Sequence, residues 1–303
     1  MNGEFGLIDA IVAGLGDRSA GDWITVGPGD DAALIQSTPG MHQVASIDSL
    51  LADVHFPLSA PPQLIGYRAL MVAFSDLAAM AATPRYCLVS LSMDEVQLAL
   101  GSHWVTALAQ GMAEAASVLG VYVCGGNLSR GPLNIGVSVH GEVDWQQVLL
   151  RSGGAADQGL YVTGALGGAA ACVRTGNMVP VDPSALSPLQ QAYYRPLARC
   201  DLASDLGSVA AGLDISDGLT QDLGHLCRAS GCGAALDSGA IPLAAGAALD
   251  DALFGGDDYQ LLLASELPVP NAHRIGTLTH GADITLDGKP LAAEGFDHFR
   301  REG

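Results

Sequence analysis

The chain has 303 residues, 49% of them hydrophobic and 15% charged, which suits two ordinary domains or one large one and argues against disorder. Its formal charge of −19, from 32 acidic and 13 basic residues, argues against nucleic acid or an anionic membrane as a partner, because phosphate backbones need a basic surface. Phosphate-bearing small molecules stay open as substrates where cations neutralise the site.

The first half reads as alternating strands and helices. Residues 42–47 form a strand running into Asp48. Pro61-Pro62 opens a helix that reaches about residue 80, and Thr83-Pro84 ends it. A strand over 86–91 follows, then a helix over 101–119 that Gly120 stops. The short strand 121–124 is expected to end at Gly125-Gly126, and 133–143 alternates as a strand with Ile135, Val137 and Val139 on one face.

The pattern loosens over 144–157, which places a domain boundary there: 1–145 and 146–303. A second α/β segment is expected beyond it. It has a strand over 160–163, helices across 167–209, a helix over 219–230 and a strand over 259–264.

The six cysteines show no Cys-x-x-Cys pair and no zinc spacing, so free thiols in a reducing cytoplasm are expected. The N-terminal residues carry acids where a signal peptide needs bases, and no run of about 18 uninterrupted apolar residues occurs. The only lysine is Lys289, so there is no Walker-type phosphate loop, and a core Schiff base is not expected.

Acids recur in glycine-flanked positions: Asp30-Asp31 after Gly27-Pro28-Gly29, Asp48 at a strand end, Asp214 and Asp217 before Gly218, and Asp257-Asp258 after Gly255-Gly256. Such loops are where α/β proteins place ligands. Taken singly, each also reads as a turn or a helix cap. Asp76 is the sharpest clue. It shares a helical face with Ala69, Val72, Ala73 and Met80, so it is expected to point inward. A buried carboxylate is costly unless paired or metal-bound, and with so few bases a cation is the economical partner. Magnesium suits carboxylates, water and substrate phosphates.

The order of these motifs resembles the thiamine-monophosphate kinase family along almost the whole chain. The matching residues are Gly-Glu-Phe at 3–5, Gly-x-Gly-Asp-Asp at 27–31, Ser-x-Asp at 46–48, Val-His-Phe at 54–56 and Ser-Asp-Leu-Ala-Ala-Met at 75–80. They continue with Gly-Gly-x-x-x-Arg-Gly at 125–131, Arg-Ser-Gly at 151–153, Asp-Ile-Ser-Asp-Gly-Leu at 214–219, Asp-Leu-Gly-His at 222–225, Gly-Gly-Asp-Asp-Tyr at 255–259 and Gly-Phe-Asp-His-Phe at 295–299.

The resemblance implies a two-domain α+β / α/β fold like that of aminoimidazole-ribonucleotide synthetase. An N-terminal α+β domain binds ATP and magnesium and dimerises, and a C-terminal α/β domain follows. It implies ATP-dependent conversion of thiamine monophosphate to thiamine diphosphate in a cytoplasmic homodimer with several Mg2+ ions. Carried over by position, Asp31, Ser46, Asp48, Asp76, Asp214 and Asp217 resemble metal-binding positions, with Asp48, Asp76 and Asp217 nearest the chemistry. Gly125, Gly126, Asn127, Arg151 and Ser216 resemble ATP-contacting positions, and His55, Asp257 and Phe296 substrate-contacting ones.

Three departures stand out. Ile47 replaces a usual Thr and Asn127 a usual Asp, at positions the resemblance assigns to one ion; Gln260 replaces a usual Glu. The first two also carry the competing reading, a catalytically degenerate nucleotide-binding homologue. A related ATP-dependent enzyme of the same fold is the other alternative.

Overall fold

Residues 4–28, 32–178 and 183–295 are described by the computed structural model of the chain. They fall into two units: residues up to 77 with 82–146 and 183–185, and residues 78–81 with 147–178 and 186 onward.

The first unit has the elements α1 (Glu4–Leu15), β1 (Ile24–Val26), β2 (Leu34–Ile35), β3 (His42–Leu51), α2 (Pro62–Ala79), β4 (Thr83–Met93), α3 (Glu95–Leu100), α4 (Ser102–Leu119), β5 (Tyr122–Arg130) and β6 (Asn134–Val143). Its main sheet has the order β3-β6-β4-β5, so β3 and β5 are opposite edges. Ile135, Val137 and Val139 are fully buried, as their alternation predicts. Helix α2 is buried at every position from Leu64 to Ala79 except Asp76, which is partly exposed. The expected apolar stripe is therefore a helix buried on all sides, with Arg68 and Ser75 among its buried residues and one opening at Asp76.

Strand β3 runs past the expected end at Asp48 to Leu51, so Asp48 lies inside the strand, and two further differences have identifiable reasons. The expected strand stop at Gly125-Gly126 does not occur, and β5 runs through both glycines to Arg130. A register shift lies opposite them, where Cys87 pairs with Val123 and Leu88 with Gly125. At this bulge an ideal Cβ on Gly126 would stand 2.1 Å from the Val89 carbonyl oxygen, so the sheet itself requires the glycine. Helix α3 was not expected. Asp94 starts it by accepting the Val96 amide (2.8 Å), while the Gln97 side chain accepts the Asp94 amide (3.3 Å).

The second unit has β7 (Gly159–Val162), α5 (Gly168–Arg174), α6 (Pro188–Tyr194), β8 (Ala211–Asp214), α7 (Leu219–Ser230), β9 (Gly233–Leu236), α8 (Leu249–Phe254), β10 (Leu261–Ser265), β11 (His273–Thr279), β12 (Ile284–Leu286) and β13 (Lys289–Pro290). One sheet joins its strands in the order β13-β12-β9-β11-β7-β10-β8. Its pairings are antiparallel except β9 with β12, so the unit is α+β in character and not a parallel βαβ array. Strands β7, β8 and β10 are buried along their whole length because both faces are covered. One face meets Leu219, Leu223 and Leu226 of α7. The other packs with Leu149, Leu206, Val269 and Ala78–Ala81. Arg174 clamps α5 to α8 through a two-pronged ion pair with Asp251, both contacts 2.7 Å. No helix among the described residues is long and apolar enough to cross a membrane.

Candidate functional site

In the first unit, alternation along β3 turns Ser46 and Asp48 toward the helix-covered side and Ile47 away from it. The Ser46 hydroxyl donates to Asp76 Oδ2 at 2.5 Å, which ties the strand to the one polar opening of α2. Sequence reasoning named all three oxygen-bearing residues, and the fold gathers them on one side of the sheet.

His55 sits in a tight turn just beyond β3. The Leu51 amide donates to His55 Nδ1 (3.0 Å), so the proton of the neutral ring resides on Nε2. Asp53 holds the turn by accepting the Leu58 amide (2.9 Å) and takes a left-handed φ of 59°. The sequence thus delivers an imidazole of fixed tautomer next to the strand that carries Asp48.

Ile47 and Asn127 do not fit a single ion within one chain. Ile47 pairs through Ser138 and Leu88 to Gly125, three strands away on the same sheet face, with Asn127 two residues further on. At about 4.8 Å per strand the two are separated by roughly 14 Å. Both also lie on the face opposite Ser46 and Asp48, and Ile47 is 69% exposed. The single-ion expectation is therefore corrected for an isolated chain: adjacency to Asp48 in sequence reverses the face. Gly125 and Gly126 share the β5 edge with Asn127 and are not brought to Asp48.

The second unit gathers Asp214, Ser216 and Asp217 on the turn between β8 and α7, and Asp257 comes beside them. The Asp257 amide donates to the Ser216 carbonyl and the Tyr259 amide to the Ile215 carbonyl, both at 2.8 Å. An ideal Cβ on Gly256 would stand 2.3 Å from the Ser216 oxygen, so only glycine lets the two turns meet backbone to backbone. Asp257 and Tyr259 take left-handed φ values of 71° and 52°. Strain of this kind costs about 1–3 kcal/mol per residue and concentrates at functional sites. The Tyr259 hydroxyl donates to Asp257 Oδ1 (2.6 Å), aiming that carboxylate. Gln221 likewise donates to Asp217 Oδ2 (3.0 Å). Arg151 is exposed, and its carbonyl accepts the Ser230 hydroxyl (3.0 Å). Asp31 and Phe296 lie outside the described residues.

The sequence motifs include Asp222, Asp258 and Tyr259 but give them no role of their own; the structure shows all three as supports. Asp222 Oδ2 accepts the amides of both Ser216 and Asp217 at 3.0 Å. Asp258 accepts the Gly167 amide with both oxygens, at 2.8 and 3.0 Å. The signal for Asp222 was its place one helical turn after Gly218. Burial pushes the Asp222 carboxyl up to about 7, against the pull of the two amides. Burial pushes Asp258 up to about 8, and the Asp257 charge adds to the rise.

A pH dependence follows. An acid whose folded pKa is raised contributes stability that is complete below its unfolded value near 3.9 and is lost as pH rises through the folded value. For Asp258 that loss spans the interval from about 4 to about 8. In a chelator, the melting temperature is expected to fall between pH 5 and pH 8, and Asp258→Asn to flatten that slope. An unchanged slope in the variant contradicts the assignment.

Among the described residues no three His, Cys, Asp or Glu side chains gather as a metal cage. A cage is not required for magnesium, which usually keeps its waters and takes one or two carboxylates plus substrate phosphate. The hard oxygens of Ser46, Asp48 and Asp76 in one unit, and of Asp214 and Asp217 in the other, fit that donor chemistry. Cysteine does not contribute: Cys87, Cys124, Cys172, Cys227 and Cys232 are buried as thiols.

Residues 29–143 match the model for the N-terminal domain of AIR synthase related proteins. The thiamine-monophosphate kinase of Salmonella typhimurium is 32% identical, with 98% of each chain covered. The crystal structure of thiamine-monophosphate kinase from Stenotrophomonas maltophilia superposes with a TM-score of 0.84 at 32% identity, over 95% of this chain and 98% of that one. A structure of AaThiL complexed with AMPPCP and TMP gives a TM-score of 0.78 at 31% identity, over 98% of this chain and 97% of that one.

Proposed function

The chain belongs to the thiamine-monophosphate kinase family, and from that premise we infer that it transfers the γ-phosphoryl group of ATP to thiamine monophosphate, giving thiamine diphosphate and ADP. The observation that carries this reading is the similarity along 98% of the chain, together with the carboxylates at Asp48, Asp76, Asp214 and Asp217. The acceptor is a phosphate oxygen of the substrate. It forms a bond to the γ-phosphorus while the bond from that phosphorus to the bridging oxygen breaks, and the electron pair leaves with ADP. No side-chain nucleophile is needed, so catalysis rests on positioning and charge neutralisation.

Residue roles within this proposal follow the site chemistry. Ser46, Asp48, Asp76, Asp214 and Asp217, with Asp31, are the residues that would hold magnesium. When bound, the metal supplies charge neutralisation for the triphosphate and for the transferring group. Ser216 and Arg151 contact ATP, with Gly125, Gly126 and Asn127 offering an edge strand on the same chain. His55 faces the substrate with a hydrogen-bond donor at Nε2, Asp257 is aimed by Tyr259, and Phe296 completes the substrate set. The segment 1–145 carries ATP, magnesium and dimer contacts, and 146–303 the remaining α+β domain. The sheet face with Ile47 and Leu51 exposed is the surface a homodimer would cover, and the cytoplasm is the compartment.

The test is initial rates with ATP and Mg2+ on thiamine monophosphate and on free thiamine. The monophosphate is expected to have the higher kcat/KM. Equal or better use of free thiamine overturns the substrate assignment.

A further inference from the structure

The turn 214–218 carries three of the residues assigned above, Asp214, Ser216 and Asp217, and its own sequence does little to hold it. It is flanked by Gly218 at a φ of 117°, and both Ser216 and Asp217 are partly exposed. The amides of Ser216 and Asp217 point back under the turn. Both end on one atom, Oδ2 of Asp222, each at 3.0 Å. Asp222 is 3% exposed and lies in the first turn of α7, where its own amide donates to the Gly218 carbonyl (3.1 Å). The same helix packs Leu219, Leu223 and Leu226 into the core of the unit, so Asp222 is fixed to the rigid part of the fold.

We propose that Asp222 is the positioning residue of this site: it clamps the Ser216 and Asp217 amides and thereby fixes where the Asp217 carboxylate and the Ser216 hydroxyl point, beside Asp214, which the pairing of β8 with β10 holds. It touches neither substrate nor nucleotide in this account. The argument is one of degrees of freedom. Two adjacent peptide planes bonded to one buried oxygen cannot rotate independently. The backbone from which the side chains at 216 and 217 leave is then fixed. Asp217 is further restrained by Gln221 (3.0 Å), one helical turn on. Without Asp222 the turn keeps the bonds at its carbonyls, which accept the Asp257 and Tyr259 amides, and loses those at its own amides. Burying a carboxyl at this position is costly unless it is bonded, and the two amides are the bonds that offset the cost.

The proposal rests on the kinase reading for its activity arm but not for its structural arm. Three proteins are compared: the parent, Asp222→Ala and Asp222→Asn. Asparagine keeps an acceptor oxygen of the same reach and loses the charge, so it separates clamping from electrostatics. In the first arm, hydrogen–deuterium exchange is followed at 214–218 with no substrate present. Asp222→Ala is expected to speed exchange at Ser216 and Asp217 by about tenfold or more, the loss of two amide bonds to a buried acceptor, with β9 and β10 unchanged. In the second arm, Mn2+ binding and the Mg2+ concentration for half-maximal turnover are measured. Loss of an outer residue that orients metal-binding groups costs about 10–100-fold in metal affinity, while KM for thiamine monophosphate should move little.

Asp222→Asn is expected to recover most of the protection and the metal affinity. If Asp222→Ala does not fold, Asp222→Ser takes its place: its shorter side chain stops short of both amides, and unchanged protection at 216 and 217 in that folded variant overturns the clamp. Unchanged exchange in Asp222→Ala, or a rise spread evenly over the unit with no change in metal dependence, also overturns it. A parent that binds Mn2+ and shows the exchange pattern but does not phosphorylate thiamine monophosphate would refute the kinase reading and leave the clamp standing.

Discussion

Asp76→Asn is expected to lower phosphoryl transfer by about 10²–10³-fold, the scale for removing one preorganised electrostatic contact from a reacting centre. The fold should stand. Asparagine keeps an oxygen that can accept the Ser46 hydroxyl, so the link between β3 and α2 survives. The charge is what disappears. Asp76 is the one position between Leu64 and Ala79 of α2 that is not fully buried, so its neighbours are packed independently of it. Removing one negative charge from a set of acids also lowers like-charge repulsion, so the metal-free variant should melt at or above the parent temperature. The checks are steady-state rates at saturating Mg2+ and a thermal melt in chelator. Normal turnover would make Asp76 a structural acid and remove it from the site.

Gly111→Ala is expected to destabilise the first unit by on the order of 1–3 kcal/mol, as overpacking does. Helices α2 and α4 cross in backbone contact. An ideal Cβ on Gly111 would stand 1.9 Å from the Gln63 carbonyl oxygen, and one on Gly66 would stand 2.1 Å from that of Leu108. The obstructing atoms are helix backbone, which cannot rotate out of the way as a side chain would. Alanine's better helix propensity, worth about 1 kcal/mol, offsets only part of this. The helices must separate, and α2 carries Asp76 with it. Activity should therefore fall along with the denaturation midpoint. Urea unfolding and initial rates test this together. A variant with unchanged midpoint and rate would mean that the crossing is looser than its geometry indicates.

How far the sequence foretold this molecule depended on which physical signal a segment carried. Helix α7 was legible to the residue, because Gly218 and Gly231 bracket an amphipathic run. Strand β6 was legible from strict alternation. Strand β9, Gly-Ala-Ala-Leu, was not, since small residues give no periodic pattern. Gly126 misled in a specific way. Glycine normally signals a turn, but here its missing Cβ serves a bulge inside a strand. Asp48 and Asp76 were found because acids beside strand-like runs and on apolar helix faces are conspicuous, and Ser46 through the family resemblance alone. The resemblance also tied the Ile47 position to an ion, and the period of two along a strand sends it to the face opposite Asp48. Asp222, Asp258 and Tyr259 stood in the motifs without a role, because their contribution is to hold backbone and carboxylates in place. That role leaves almost no mark on a sequence and appears only when the hydrogen bonds are traced.

The central claim is that a phosphate oxygen of thiamine monophosphate takes the γ-phosphoryl group. Phosphorus NMR of a reaction containing ATP, Mg2+ and thiamine monophosphate tests it directly. The account predicts one ADP formed for each thiamine monophosphate consumed, with two mutually coupled phosphorus signals of a new diphosphate ester. ADP with inorganic phosphate and unchanged thiamine monophosphate would contradict it.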